Sequence, residues 1–65
     1  MNQDMITGDF APGAIVRHPD RDDWGDGMVQ SAIGHRVTVN FEHAGKQMID
    51  TSVIALVLVS YDTRE

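Results

Sequence analysis

Arg36–Glu42, the stretch R-V-T-V-N-F-E, decides the fold, because apolar and polar side chains alternate along it without a break over seven residues. Successive side chains of a β-strand project to opposite faces. A slip of one residue would put Phe41 in water and Glu42 in the core, so the pairing register is fixed. We therefore expect a central strand with one buried face, formed by Val37, Val39 and Phe41. The outward face then carries Arg36, Thr38, Asn40 and Glu42.

Length and composition exclude several classes of protein. The chain has 65 residues, room for one domain, and such a domain buries about 60% of the surface of its unfolded chain. It has no cysteine, so neither a disulfide nor a thiolate zinc site is available and the apolar core must suffice. The N-terminal residues do not have the pattern of a signal peptide, and no apolar run reaches membrane-spanning length. We expect a cytoplasmic, monomeric protein without membrane contact.

The charge balance disfavours a nucleic-acid partner. Ten acidic and five basic residues give a formal net charge of −5, and the basic residues are scattered along the chain. Binding to a phosphate backbone depends on cationic side chains that release counterions. A small nucleic-acid-binding barrel stays an alternative if folding gathers Arg17, Arg36 and Lys46 on one face together with exposed aromatic side chains.

Turn residues on both sides of the central strand predict four further strands. Pro12-Gly13 is typical of a type II turn, and Gly34 is typical of a short hairpin. In the second strand, strict alternation would place Val29, Ser31 and Ile33 on one face. The predicted strands are 14–18, 28–33, 46–50 and 55–59. The domain would span 10–59, between a flexible segment 1–9 and a polar tail 60–65.

The apolar run Val53–Val59 is the one ambiguous element, because periodicity alone does not separate a buried strand from a helix. Four of its seven residues are Val or Ile, and its length is that of a strand, so we expect a strand that closes the sheet. Five short antiparallel strands joined by tight turns predict an all-β, SH3-like or Tudor-like barrel. Closure would remove the exposed sheet edges.

Four motifs carry a resemblance to known families. They are G-A-I-V-R-H-P at 13–19, W-G-D-G-M-V at 24–29, V-T-V-N-F at 37–41 and G-K at 45–46. In this order they resemble the Tudor-like C-terminal domain of UvrD/PcrA-type DNA helicases, whose pattern is G-x-x-V-x-H, F/W-G-x-G-x-V, V-x-F and G-x-K. The stretch 13–59 is still more similar to a family of short, free-standing bacterial proteins of unknown function.

Two departures separate the chain from the helicase pattern. Five residues lie between His18 and Trp24, where the helicase domain usually has two, so this loop is longer and more acidic. Lys46 follows Gly45 directly, whereas the helicase lysine follows after one intervening residue and Gln47 takes the matching place here. A shift of one residue in a strand changes the face of the side chain.

The resemblance implies a non-catalytic adaptor that contacts the transcription machinery, such as RNA polymerase, or DNA-repair proteins. The residues agree with this expectation, since no nucleophile has a base at a recognisable spacing. We therefore expect no enzymatic activity and no cofactor. The residues that we predict to bind a protein partner are Trp24, Asp26, Arg36, Thr38, Asn40 and Lys46.

The candidate metal ligands and the single tryptophan can each be explained without a ligand or a partner. Three histidines without cysteine have no zinc-ligand spacing. A calcium loop starting at Asp20 would place Trp24 and Ser31 at ligand positions, so a solvated acidic loop is favoured. Trp24 has two open roles: it caps the end of the barrel, or it anchors a partner, as tryptophan often does at binding hot spots.

Overall fold

Five antiparallel strands form one sheet in the computed structural model, which describes residues 10–61. The strands are β1 (Ala14–Arg17), β2 (Asp26–Ile33), β3 (Arg36–Phe41), β4 (Gly45–Asp50) and β5 (Val57–Tyr61), and a 3₁₀ turn lies at Asp22–Trp24. Their order across the sheet is β4-β3-β2-β1-β5. The predicted all-β class with five antiparallel strands is confirmed. The predicted flexible segment 1–9 and residues 62–65 of the predicted tail lie outside the described residues.

The expected closure into an SH3-like or Tudor-like barrel is wrong, because β4 and β5 are the two edges of an open sheet. After Asp50 the chain turns, and the N–H groups of Val53 and Ile54 both donate to the Asp50 carbonyl, at 3.0 and 2.8 Å. The following residues continue without strand pairing as far as Leu56, which is buried against the core. A connecting segment therefore covers the core where a barrel would have strand pairing.

The last apolar run forms a strand and no helix, as its β-branched content predicts, but the strand begins later than expected. β5 covers Val57–Tyr61 rather than 55–59, and within residues 10–61 β1 is its one pairing partner. Val53 lies in the turn after β4 and is 75% exposed. The apolar run thus forms a turn, a buried core contact at Leu56 and an edge strand.

The core lies on one face of the sheet, and the alternation in β3 explains it. Val37, Val39 and Phe41 are buried as predicted, whereas Arg36 and Asn40 are exposed and Thr38 is half-buried. Phe41 and the two valines are among the largest fully buried side chains. Among residues 10–61 the buried apolar set is Ala14, Val16, Val29, Val37, Val39, Phe41, Ile49 and Leu56.

A β-bulge at Gln30 changes the face of the second half of β2. Val29 pairs with Val39, but the next paired residue is Ser31, opposite Thr38. Ala32 therefore turns toward the core, and Ile33 is 77% exposed. The expectation that Val29 and Ile33 share a face is wrong, because an extra residue in one strand shifts the alternation by one position.

Candidate functional site

Five of the six residues predicted to bind a partner lie on the sheet face opposite the core, which we call the outer face. Their position follows from strand geometry. Each of these residues either has a buried neighbour next to it in its strand or pairs with a residue that has one, so its own side chain points away from the core. They are Asp26 on β2, Arg36, Thr38 and Asn40 on β3, and Lys46 on β4. The sixth, Trp24, lies on the core side.

Polar and apolar side chains are neighbours on the outer face. Ile15, Met28, Asn40 and Lys46 form one cross-strand row, because each pairs with the next. The adjacent row on β3 and β4 pairs Thr38 with Met48. The two methionine side chains are open to water, Met28 to 44% and Met48 to 66%. The face thus combines flexible apolar groups with hydrogen-bonding groups.

A depression of about 330 Å³ lies within this face. Its lining combines apolar and carboxylate groups. The residues that line it are Ile15, Asp26, Gly27, Met28, Asn40 and Glu42. The depression is large enough to receive a side chain of another molecule.

Charged groups on the outer face divide into paired and unpaired ones. Arg17 donates to Asp26 Oδ1 from Nε at 3.3 Å and from one terminal nitrogen at 3.1 Å, so both residues are engaged. Within residues 10–61, Arg36 and Lys46 have no ion-pair partner. Arg36 on β3 pairs with Asp50 on β4, which is four positions from Lys46. The spacing of residues along a strand therefore separates Arg36 from Lys46 by roughly 13 Å.

Asp50 stands opposite Arg36 but is held by other groups. Its Oδ1 accepts hydrogen bonds from the Ser52 hydroxyl and the Ser52 N–H, and lies 3.0 Å from Nδ1 of His35. The bonds from Ser52, followed by that from His35, hold the pKa of Asp50 below its ordinary value, against the effect of desolvation. The composition resembles a Ser-His-Asp triad, but the carboxylate, not the imidazole, lies between the other two groups, so the imidazole is not placed to take the serine proton.

Trp24 packs against the end of the core. Its ring centroid is 5.1 Å from that of Phe41 and 5.0 Å from that of His18, and the guanidinium carbon of Arg21 lies over the ring at 4.9 Å from the centroid. The Trp24 carbonyl also accepts the N–H of His43 at 3.0 Å. These contacts favour the capping role. The role of partner anchor stays a prediction.

The two glycines of W-G-D-G are needed inside the domain. Gly25 has a φ of +77°, and a β-carbon there would lie 2.9 Å from Cδ2 of His43. A β-carbon on Gly27 would lie 2.5 Å from Cγ1 of Val39. Side chains of this same chain thus occupy the space beside both glycines.

His18 is a structural residue that sequence reasoning missed. It is the one polar side chain buried among residues 10–61, and its Nδ1 accepts the N–H of Asp20 at 3.0 Å. Alternation could have revealed it, because Ala14, Val16 and His18 stand at every second position and therefore share one face. Met28 and Met48 were also missed, although their alternation with core residues places them on the outer face.

Metal-ligand candidates do not converge within the described part of the chain. Among residues 10–61 no group of three or more His, Asp or Glu side chains is placed to hold a metal ion. In the acidic loop Asp23 pairs instead with Arg21 at 3.0 Å. The Arg21 hydrogen bond holds the pKa of Asp23 below its ordinary value, against the effect of desolvation.

A comparison with known protein families identifies the family of this chain. A family model described as "Protein of unknown function (DUF3553)" matches residues 10–59, which extend from before β1 into β5. The chain belongs to this family. The resemblance to a family of unknown function is thereby confirmed, and DUF3553 membership names no activity. Neither the curated proteins nor the solved structures contain a match to this chain. Within residues 10–61, the chain forms no helix with the length and apolar character that a membrane crossing requires.

Proposed function

We propose that this DUF3553 domain is a non-catalytic protein-interaction module that binds its partner through the outer face. The observation that carries the proposal is the convergence of Asp26, Arg36, Thr38, Asn40 and Lys46 on one face beside exposed Met28 and Met48. Residues separated by as many as twenty positions in the sequence form one continuous surface. Such a surface offers a partner several contacts at once.

The chemistry of the face suits a protein partner. Methionine and arginine are enriched at protein interfaces, and the unbranched methionine side chain adapts to different shapes. Arg36 and Lys46 have no intramolecular ion pair among the described residues and are available to carboxylates of the partner. The depression beside Met28 would receive one apolar side chain. The partner would therefore present an apolar group between acidic ones.

The sequence resemblance supports a partner in the transcription or DNA-repair machinery. The Tudor-like helicase domain that the motifs resemble is an outward-facing interaction module, and a cytoplasmic adaptor to RNA polymerase or a repair protein would use the same kind of surface. The helicase lysine does not correspond to Lys46 in register. The contacts of this chain would accordingly be its own, with Lys46 on the outer face beside Asn40.

A photo-crosslinking amino acid at position 48 tests the proposal. Met48 lies on the outer face opposite Thr38, and Val53, which is also well exposed, lies in the turn after β4 and serves as the matched control. Both variants are incubated with extract of the source cell, and the crosslinked proteins are identified by mass spectrometry. We expect a subunit of RNA polymerase or a repair protein at position 48 only. Equal products at 48 and 53, or none at 48, would contradict the proposal.

The structure also offers a specific observation for a second candidate, a nucleic-acid-binding module. Arg17, Arg36 and Lys46 do lie on the same face. However, Arg17 is paired with Asp26, and the rings of Trp24 and Phe41 lie on the core side, where bases could not stack on them from the outer face. We rank this candidate second.

A further inference from the structure

The edge strand β5 exposes an uncharged apolar surface. All five of its residues are exposed, and four of them are large and apolar: Val57, Leu58, Val59 and Tyr61, each between 46% and 48% open to water. Leu58 and Tyr61 pair with buried Val16 and Ala14, so they extend the core face of the sheet beyond its covered part. The part of the surface formed by Leu58 and Tyr61 is thus continuous with the core.

The backbone of β5 is paired on one side only. β1 takes one side, and within residues 10–61 no strand takes the other. Such an edge presents free N–H and C=O groups to any strand that can approach. β4, the opposite edge, carries Lys46 and Asp50, the kind of charges that prevent pairing between edges. β5 carries no charged residue.

We propose that β5 pairs with β5 of a second copy of this chain, antiparallel and about a twofold axis at Val59. Val59 is the middle residue of Val57–Tyr61, so a complete antiparallel overlap places it opposite itself. Two uncharged strands bring no like charges together, although the chain as a whole carries −5. Pairing of β5 with β4 of a second copy would be head-to-tail and would leave further edges open, whereas the β5–β5 contact closes on itself.

The surface area indicates a weak dimer. Half-exposed side chains of these sizes leave on the order of 300 Å² of apolar surface per copy in water. Stable protein interfaces bury about 800 Å² per partner, so this contact alone gives a reversible dimer. The bulge at Val59, opposite Ile15 and Val16, increases the local twist and keeps the paired segment short. The inference replaces the monomer expected from the sequence.

The experiment measures the mass of the full chain by sedimentation equilibrium from about 1 μM to 1 mM. Val59→Lys places two like charges opposite each other at the axis, and Val53→Lys makes the same chemical change at an exposed valine away from the edge. We expect the wild type to dimerise reversibly, Val59→Lys to weaken the dimer about tenfold or more, and Val53→Lys to leave it unchanged. A wild type that stays monomeric throughout, or equal effects of the two variants, would overturn the proposal.

A cysteine variant keeps the test decisive if Val59→Lys does not fold. The chain has no cysteine of its own, so a single introduced thiol reports one position. Paired residues across antiparallel strands have Cα atoms about 4.5 to 5.5 Å apart, within reach of a disulfide. Under mild oxidation we expect Val59→Cys to form a covalent dimer at least about tenfold faster than Val53→Cys, because pairing at the axis brings the two thiols together. Equal rates would overturn the proposal.

Discussion

A β-carbon on Gly27 would lie 2.7 Å from Cδ1 of Phe41, its partner in the β2–β3 pairing. The phenylalanine ring therefore occupies the place that a side chain on Gly27 would need. Trp24 packs on the same ring from the end of the sheet. Three residues of two separate motifs thus form one packed unit, which connects the acidic loop to the core.

Gly27→Ala should lower the free energy of unfolding by about 1 to 3 kcal/mol, because the new methyl group overlaps Val39 and Phe41. Each kcal/mol corresponds to a change in Tm of about 4 to 8 °C in a domain of this size. Gly34→Asn is the control: the site is open, and asparagine tolerates the φ of +61° at Gly34. Thermal melts measure the stability of both variants. A lower Tm for Gly34→Asn than for Gly27→Ala would contradict this account.

Phe41→Ala should cost about 3 to 5 kcal/mol, the loss typical of a large aromatic removed from a packed core. Phe41 is fully buried, and a small domain without disulfides has little stability to spare. We expect the variant to be largely unfolded by circular dichroism at 37 °C. Ile33→Ala, at a well-exposed position, should stay within about 0.5 kcal/mol of the wild type. An unchanged Tm for Phe41→Ala would refute the core assignment.

Trp24→Ala should destabilise the domain by about 2 kcal/mol, less than a fully buried aromatic, since the ring is half-buried against His18 and Phe41. Trp24→Phe retains part of the packing, so its free energy of unfolding should lie between those of Trp24→Ala and the wild type. Urea unfolding measures both. If Trp24→Ala keeps the wild-type stability yet loses crosslinking at position 48, the tryptophan is a partner anchor and the capping role is wrong.

Asp50→Asn should change the acid side of the stability profile. The pKa of Asp50 is lowered in the folded state, chiefly by the hydroxyl of Ser52, then by its N–H, and also by His35. Its contribution to stability is therefore complete above the unfolded-state pKa of about 3.9 and is lost as the pH falls through the lower folded-state pKa.

Urea midpoints between pH 2 and 7 should accordingly fall more steeply at the acid end for the wild type than for Asp50→Asn. Asp22→Asn removes a carboxylate from the 3₁₀ turn without touching the Asp50 hydrogen bonds, and serves as the control. Parallel profiles of the wild type and Asp50→Asn would show that this turn contributes nothing to the acid dependence.

Labelled single- and double-stranded DNA or RNA should show no saturable binding at micromolar concentrations and near-physiological salt. Arg36 and Lys46, the cations of the outer face that have no ion pair within residues 10–61, are too few to offset the net charge of −5. Fluorescence anisotropy measures the binding. Tight binding that weakens with salt, and that Lys46→Ala reduces, would favour the nucleic-acid alternative over the protein partner.

The sequence alone determined the core face of β3 and the outward position of its polar residues. Strict alternation over seven residues permits one register, since any slip would bury Glu42 and expose Phe41. It also determined the antiparallel class, through turn residues such as Gly34 between strand-like runs. The outer-face part of the candidate site followed directly, because strand side chains alternate with a period of two.

Only the tertiary structure decided the position of the bulge, the closure of the sheet and the place of Trp24. The bulge at Gln30 moved Ile33 to the surface, and a bulge depends on how two strands fit rather than on one strand's pattern. Closure depended on whether β5 could reach β4, and the turn after Asp50 together with buried Leu56 left the sheet open. Trp24 has no strand periodicity, so only its packing on Phe41 placed it. Contacts between segments distant in sequence are set by three-dimensional packing, which local patterns do not record.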